Sequence, residues 1–199
     1  MAFSFFFRDH FILDRLADIL SKDIFGQKEI KIWDAGCALG QEPFTFAILL
    51  SEKVGYFTFK KVKIFASDID ETGEYQKTIE NGIYPYQDLS RIPKDIFEKY
   101  FTKVSEDKYR IVSEIHTRVK FVKHNLLGLN PFESNFDAII CKNVLLHFSY
   151  LERVKVLQMF YNTLKDGKYL ALEQTQKIPT ELVDKFKQVF SDVTIYKKV

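Results

Sequence analysis

The sequence predicts an α/β fold, a doubly wound and mostly parallel sheet, on three observations. Short runs rich in β-branched and aromatic residues alternate with longer helical patterns. Several of these runs are apolar enough to be buried on both faces, as strands of a parallel sheet are. Strand and helix in turn imply crossover connections rather than hairpins. With 199 residues, 46% of them hydrophobic, the chain is long enough for one well-buried domain and short for two, so a single domain over 1–199 is expected.

In chain order, a helix is expected over 10–21 and a strand over 29–35, "EIKIWDA". The apolar "TFAILLSEKV" sets a helix over 42–54, and "VKIFASD" a strand over 62–68. Helices follow over 71–81 and 93–101. Residues 102–118, "TKVSEDKYRIVSEIHTR", are polar enough for a surface excursion. "VKFVKHN" (119–125), "FDAIICK" (136–142) and "KYLALEQ" (168–174) are the remaining buried-strand patterns, with a helix over 150–164 between the last two. A further helix is expected over 179–190, and Asp192–Lys197 as a last strand, for which an antiparallel direction is open. No repeat or low-complexity linker interrupts the series.

Composition excludes several classes of function. Lys+Arg number 29 against 27 Asp+Glu, a formal charge of +2 spread along the chain, so nothing supports nucleic-acid binding. Cys37 and Cys141 are too few and too far apart for a disulfide framework or a zinc site, and no metal is expected. That usage fits a reducing compartment, and a cytoplasmic location is expected. The opening "MAFSFFFRDHF" is broken by Arg8, Asp9 and His10 with no small-residue cleavage site after it. No uncharged apolar run approaches the roughly 18 residues of a membrane helix, so no membrane insertion is expected.

The stretch "DAGCALGQEPF" (34–44) carries the first functional information. In a doubly wound sheet, ligands lie outside the carboxyl ends of the strands, where the turn after the first strand can approach them. Gly36 and Gly40, lacking a Cβ, would let backbone come within contact distance; a tight strand-to-helix turn with no ligand is the alternative. Asp68, at the tip of the second strand and 28 residues beyond Gly40, is placed to accept both hydroxyls of a ribose, or else to N-cap the helix that follows. Turn and acid together favour a nucleoside. Glu42 then separates ligands: an acid in the first turn repels pyrophosphate and attracts an ammonium or sulfonium. The alternative is that it only complements the helix dipole. With G-x-G-x-x-G absent, a nicotinamide-dependent oxidoreductase is disfavoured and S-adenosylmethionine favoured.

These residues resemble a known family, the CheR-type chemoreceptor glutamate methyltransferases. The resemblance runs from Ser4 to about Gly167 and rests on "SFFFRD", "WDAGCALGQEPF", "FASDID", "NGIYPYQDLSRIPKDIFEKYF", "VKFVKHNLL" and "FDAIICKNVLLHF", followed by "LKDGKYLAL". It implies the Rossmann-like fold of class I S-adenosylmethionine-dependent methyltransferases, with S-adenosylhomocysteine as product. It also implies a protein carboxylate as acceptor, a chemoreceptor in the family's case. By resemblance, Arg8 would pair with the methionine carboxylate through two parallel N–H bonds, with Ser4 close by. Glu42 would face the methionine amino end, with Gly36 in the approach turn and Asp68 on the ribose. Asn125 and Leu126 would lie on the adenine, and Cys141, Lys142 and Asn143 would line the reaction site. Ordinary structural roles remain open beside these: Arg8 as the partner of Asp9 or Asp14, Asn125 as a turn former, His147 as a packing residue.

The chain departs from the family pattern at four places. Lys142 stands where the family has Arg, keeping the charge without the planar fork. His147 stands where it has Tyr, keeping a ring and a polar tip. Gln41 replaces the first acid of Gly-Glu-Glu-Pro, and the fifth strand ends "LEQTQ" rather than Gly-x-Ser-Glu. The changes touch the acceptor side more than the cofactor side. Arg8, which the resemblance places on the methionine carboxylate, and His147 are the candidates for catalytic roles. The family's helical domain ahead of the Phe-Phe-Arg motif, used in substrate recognition, is expected to be absent. Two functional readings result: a protein-glutamate O-methyltransferase of chemotaxis type, or a degenerate cofactor-binding or sensor domain. The sequence leaves the oligomeric state open.

Overall fold

The computed structural model describes residues 5–199; Ser4 lies outside them. The chain runs through α1 (His10–Asp23), β1 (Ile30–Ala35), α2 (Gln41–Phe59), β2 (Val62–Asp68) and α3 (Glu74–Asn81). It continues through β3 (Ile83–Pro85), α4 (Tyr86–Leu89), α5 (Lys94–Tyr100), β4 (Phe101–Lys103), β5 (Lys108–Ile111), α6 (Ser113–His116) and β6 (Val119–Lys123). The last elements are β7 (Phe136–Cys141), α7 (Tyr150–Thr163), β8 (Leu164–Leu172), β9 (Phe186–Gln188) and β10 (Ile195–Lys198).

Among the described residues, seven strands form one sheet in the order β6-β2-β1-β7-β8-β10-β9. The first five are parallel, and β10 and β9 close the sheet antiparallel. Side chains alternate across it. Ile32, Ile64, Ala138, Ile140 and Ala171 pack against α1 and α2, while Trp33, Phe136, Ile139, Leu170 and Leu172 pack against α7. Each face thus buries its own apolar layer, which is why the central strands read as continuous apolar runs. Helix α2 keeps helical geometry up to Gly55, where φ 73 and ψ 163 break it. Helix α7 starts at a reciprocal cap in which Ser149 Oγ accepts the Glu152 N–H and the Glu152 carboxylate accepts the Ser149 N–H.

Two segments differ from the sequence expectation. Residues 179–190 are not a helix: Thr180–Lys185 form a 3-10 turn and Phe186–Gln188 form β9. Leu182 and Phe186, both buried and four apart, imitate a helix face. The free edge of β10 offers ladder bonds to this segment, pairing Tyr196 with Gln188 and Lys198 with Phe186, and tertiary pairing overrides the local pattern. Residues 102–118 are more than a surface excursion, since β3, β5 and β4 form a small antiparallel sheet that buries Phe101, Ile111 and Ile115.

The order of the large sheet reverses at β1. The chain builds outward from β1 through β2 to β6, then returns to place β7 on the other side of β1. The carboxyl ends of β1 and β7 therefore flank a switch point, the place where open α/β sheets accept ligands.

Candidate functional site

The turn leaving β1 is tied to the tip of β2. The N–H groups of Gly36 and Cys37 both donate to the Ser67 carbonyl, at 2.8 and 3.0 Å. The Ala38 N–H donates to Asp68 Oδ2 at 2.9 Å, and the Ile69 N–H donates to Asp68 Oδ1 at 2.7 Å. Asp68 is thus aimed by two backbone donors, each oxygen keeping lone-pair capacity for a ligand. It does not cap the next helix. Asp70 does, accepting the Tyr75 and Gln76 N–H groups at 3.1 and 3.0 Å.

The tip of β6 supplies the next wall. The His124 N–H donates to the Asp68 carbonyl, and Asn125 Oδ1 accepts the Leu127 N–H at 2.9 Å, capping the 3-10 turn Leu126–Gly128. Gly36, Asp68, Asn125, Leu126, Asn143 and His147 together line one cleft of about 340 Å³, which Ile69, Val144 and Phe148 extend. Gly36, with φ +98, is needed there for space as well as conformation, because a Cβ would fall 2.1 Å from Val144 Cγ2. Gly40 plays another part. A Cβ on it would meet Ile79 of α3 at 2.6 Å and the Tyr84 hydroxyl of β3 at 3.0 Å, so its bareness serves packing against both.

A second cavity, of about 390 Å³, opens on the other side of Asn143 and is lined by Lys142, Asn143, Leu146, Glu173 and Thr175, with Asp9, Phe11 and Asp192 at its edge. Asn143 is common to both cavities. The Lys142 side chain is 1% exposed, and its ammonium pairs with Glu42 Oε2 at 2.8 Å. Glu42 is therefore engaged across the switch point as well as lying in the first turn of α2. Arg8 lies 3.6 Å from Asp9, with a third of its side chain exposed. Cys141 is buried at the end of β7. Burial pushes the Cys37 and Cys141 thiols well up, and neighbouring carboxylates add to it, so neither is a ready thiolate.

Asp34 is the group that sequence reasoning passed over. It is fully buried at the tip of β1, and neither carboxylate oxygen has a hydrogen-bond partner among the described residues. Burial raises its pKa well above the usual carboxylate range; Glu42 and Asp68 raise it further, and Lys142 opposes them. An acid closing a strand read as buried on both faces was the available signal. Glu173 was also missed as an interacting group. It is 6% exposed and accepts the Asn143 N–H, a contact that joins residues distant in sequence.

Orphaned carboxylate oxygens, a glycine whose Cβ would close the cleft, and a ribose-competent acid describe a site for a nucleoside ligand bearing positive charge. The family model described as the CheR methyltransferase SAM-binding domain matches residues 2–195. The chain belongs to the CheR methyltransferase family. A chemotaxis protein methyltransferase of Borreliella burgdorferi is 32% identical over 183 residues, which cover 88% of the chain and 64% of that relative. Chemotaxis protein methyltransferase 2 of Pseudomonas aeruginosa is 32% identical over 171 residues, 83% of the chain and 60% of the relative. The chain thus spans rather less than two thirds of these CheR-family relatives. In fold it is similar to a TehB-like SAM-dependent methyltransferase from Corynebacterium glutamicum, with a TM-score of 0.53, 13% identity and coverage of 97% and 90% of the two chains. That likeness places it in the class I methyltransferase fold. No helix among the described residues is long and apolar enough to cross a membrane.

Proposed function

We propose that the chain is an S-adenosylmethionine-dependent methyltransferase acting on a protein carboxylate, of the chemotaxis glutamate type, with a chemoreceptor as the partner class. The observation that carries the reading is the acidic, partly orphaned cluster at the β1/β7 switch point. Asp34, Glu42 and Asp68 together outweigh Lys142 there. When bound, S-adenosylmethionine supplies a methyl on a sulfonium, which leaves as the neutral thioether S-adenosylhomocysteine.

The residues of the chain hold and orient. Asp68 accepts the ribose hydroxyls, Asn125 and Leu126 border the base, and Gly36 keeps the wall thin. Glu42 and Asp34 face the cationic end of the ligand. Arg8, by the family resemblance, takes the carboxylate at that end, with Ser4 near it. His147 and Lys142 lie toward the acceptor. A glutamate, with a solution pKa near 4.3, is already ionised at neutral pH, so no general base is required. Catalysis then consists of alignment and water exclusion, and orientation alone contributes about 7–11 kcal/mol.

One observation favours the second reading, a cofactor-binding or sensor domain without turnover: the buried Lys142–Glu42 pair engages the cation on the acceptor side. Calorimetric titration with S-adenosylhomocysteine, for the wild type and Asp68→Asn, tests the cofactor site. Alkali-released methanol from methyl-labelled acceptor tests the ester. Binding without any ester on acidic proteins selects the sensor; no binding by folded protein sinks both readings.

A further inference from the structure

The loop leaving β7 is pinned from two sides. Lys142 sends its side chain to Glu42 at the start of α2. The next residue sends its main-chain N–H to the Glu173 carboxylate, just beyond β8. This reach is set by the sheet. Cys141 and Leu172 are the last paired residues of β7 and β8, so Asn143 and Glu173 leave adjacent strand ends together. Asn143 sits at φ 58, in the left-handed region, which asparagine tolerates better than most residues. Its N–H lies beyond the ladder, and a Glu173 carboxylate oxygen accepts it. The other Glu173 oxygen accepts the Thr175 hydroxyl at 3.2 Å. Both neighbours of this clamp bear on the site, because Asn143 lines the cofactor cleft and the second cavity alike, and Glu173 lines the latter.

We propose that Glu173 is a positioning residue: by holding the Asn143 amide it fixes the wall between the cofactor cleft and the second cavity, and so sets the spacing across which the methyl group passes. This rests on the methyltransferase reading. Alignment within a few tenths of an ångström governs such a transfer, and a displacement of about 1 Å slows it about a hundredfold.

The test uses the full chain as wild type, Glu173→Ala and Glu173→Gln, the last retaining an acceptor oxygen without the charge. Three quantities are read: hydrogen exchange at the Asn143 amide, affinity for S-adenosylhomocysteine, and kcat and KM on a glutamate-containing acidic peptide by methanol release. Glu173→Ala is expected to speed exchange at Asn143 at least about tenfold and to lower kcat by ~10²-fold. Affinity for S-adenosylhomocysteine and KM should move by less than about threefold, and Glu173→Gln should recover most of the exchange protection and of kcat. Unchanged exchange in Glu173→Ala overturns the proposal. So does a loss of kcat that is matched by affinity and shared equally by Glu173→Gln, which marks a purely structural residue. A wild type that binds S-adenosylhomocysteine but methylates no acceptor refutes the methyltransferase reading, while the exchange arm still judges the clamp.

Discussion

Replacing Gly36 with alanine tests the closest approach in the cofactor cleft. Gly36 has φ +98, and its added Cβ would lie 2.1 Å from Val144 Cγ2 and 3.3 Å from Val144 Cβ. Two penalties arise. A left-handed conformation costs an L-residue about 1–2 kcal/mol, and forcing a methyl into filled space costs about 1–3 kcal/mol more. The turn cannot drift freely to relieve them, because the Gly36 and Cys37 N–H groups are both bonded to the Ser67 carbonyl. The expected destabilisation is therefore about 2–5 kcal/mol, or a fall in Tm of ~4–20 °C for a domain of this size. Val144 also borders the cleft, so its displacement should weaken S-adenosylhomocysteine binding. The assay is thermal unfolding of Gly36→Ala, Val144→Ala and the double variant, with calorimetry on each. Val144→Ala removes the colliding Cγ2 and should return the steric part but not the backbone part, giving a favourable coupling of about 1–3 kcal/mol. If the two substitutions add within about 0.5 kcal/mol, the collision does not govern the site and the account of Gly36 fails.

Four further outcomes are expected. Asp34 has a raised folded-state pKa, so its burial favours the protonated form, and its contribution to stability declines as pH rises above the unfolded value near 4 toward the folded one. Asp34→Asn should remove that decline; urea unfolding from pH 4 to 8 should show the variant gaining on the wild type with rising pH, and parallel curves would refute the burial argument. Asp68→Asn should weaken S-adenosylhomocysteine binding by about 1–3 kcal/mol in calorimetry through loss of a charged acceptor. Ser149→Ala removes the reciprocal cap of α7 and should cost about 0.5–2 kcal/mol in denaturant unfolding with no change in ligand affinity. His147→Tyr should preserve or raise turnover in the methanol-release assay, and abolished turnover in a folded variant would give His147 a role of its own.

The centre of the sheet was legible because burial on both faces leaves a near-continuous apolar run, clearest in β7 and in the last four residues of β8, while β2 and the edge strand β6 read from β-branched and aromatic residues set between lysines. What failed to read had a physical reason in each case. Leu182 and Phe186 satisfy a helical spacing, and only the open edge of β10 decides otherwise. Strands β3, β4 and β5 are three or four residues long, too short for a period to declare itself. For the site, Gly36, Asp68, Asn125 and Asn143 could be gathered in advance, because each ends a strand of the parallel sheet or follows one within two residues and so reaches the same edge. The Asn143–Glu173 clamp could not, since the register of β7 against β8 has to be known before those two residues meet. Nor could the packing role of Gly40, whose neighbours Ile79 and Tyr84 come from α3 and β3.

The acid in the first turn of α2 takes its meaning from Asp34. Alone, Glu42 does what first-turn acids do, complementing a helix dipole, and its pairing with Lys142 would leave the switch point neutral. A second carboxylate, fully buried and without a hydrogen-bond partner among the described residues, upsets that balance. Left charged it carries a desolvation penalty that Lys142 opposes while Glu42 and Asp68 add to it; left protonated it carries a cost to ionise that a cationic ligand would lower. A pyrophosphate arriving at the same helix terminus would add negative charge to Asp34, Glu42 and Asp68 and raise every one of those costs. A sulfonium or ammonium lowers them all. On the proposed reading, selection at the switch point is by sign of charge first and by shape second, and a neutral thioether product would lose part of the attraction that held the substrate.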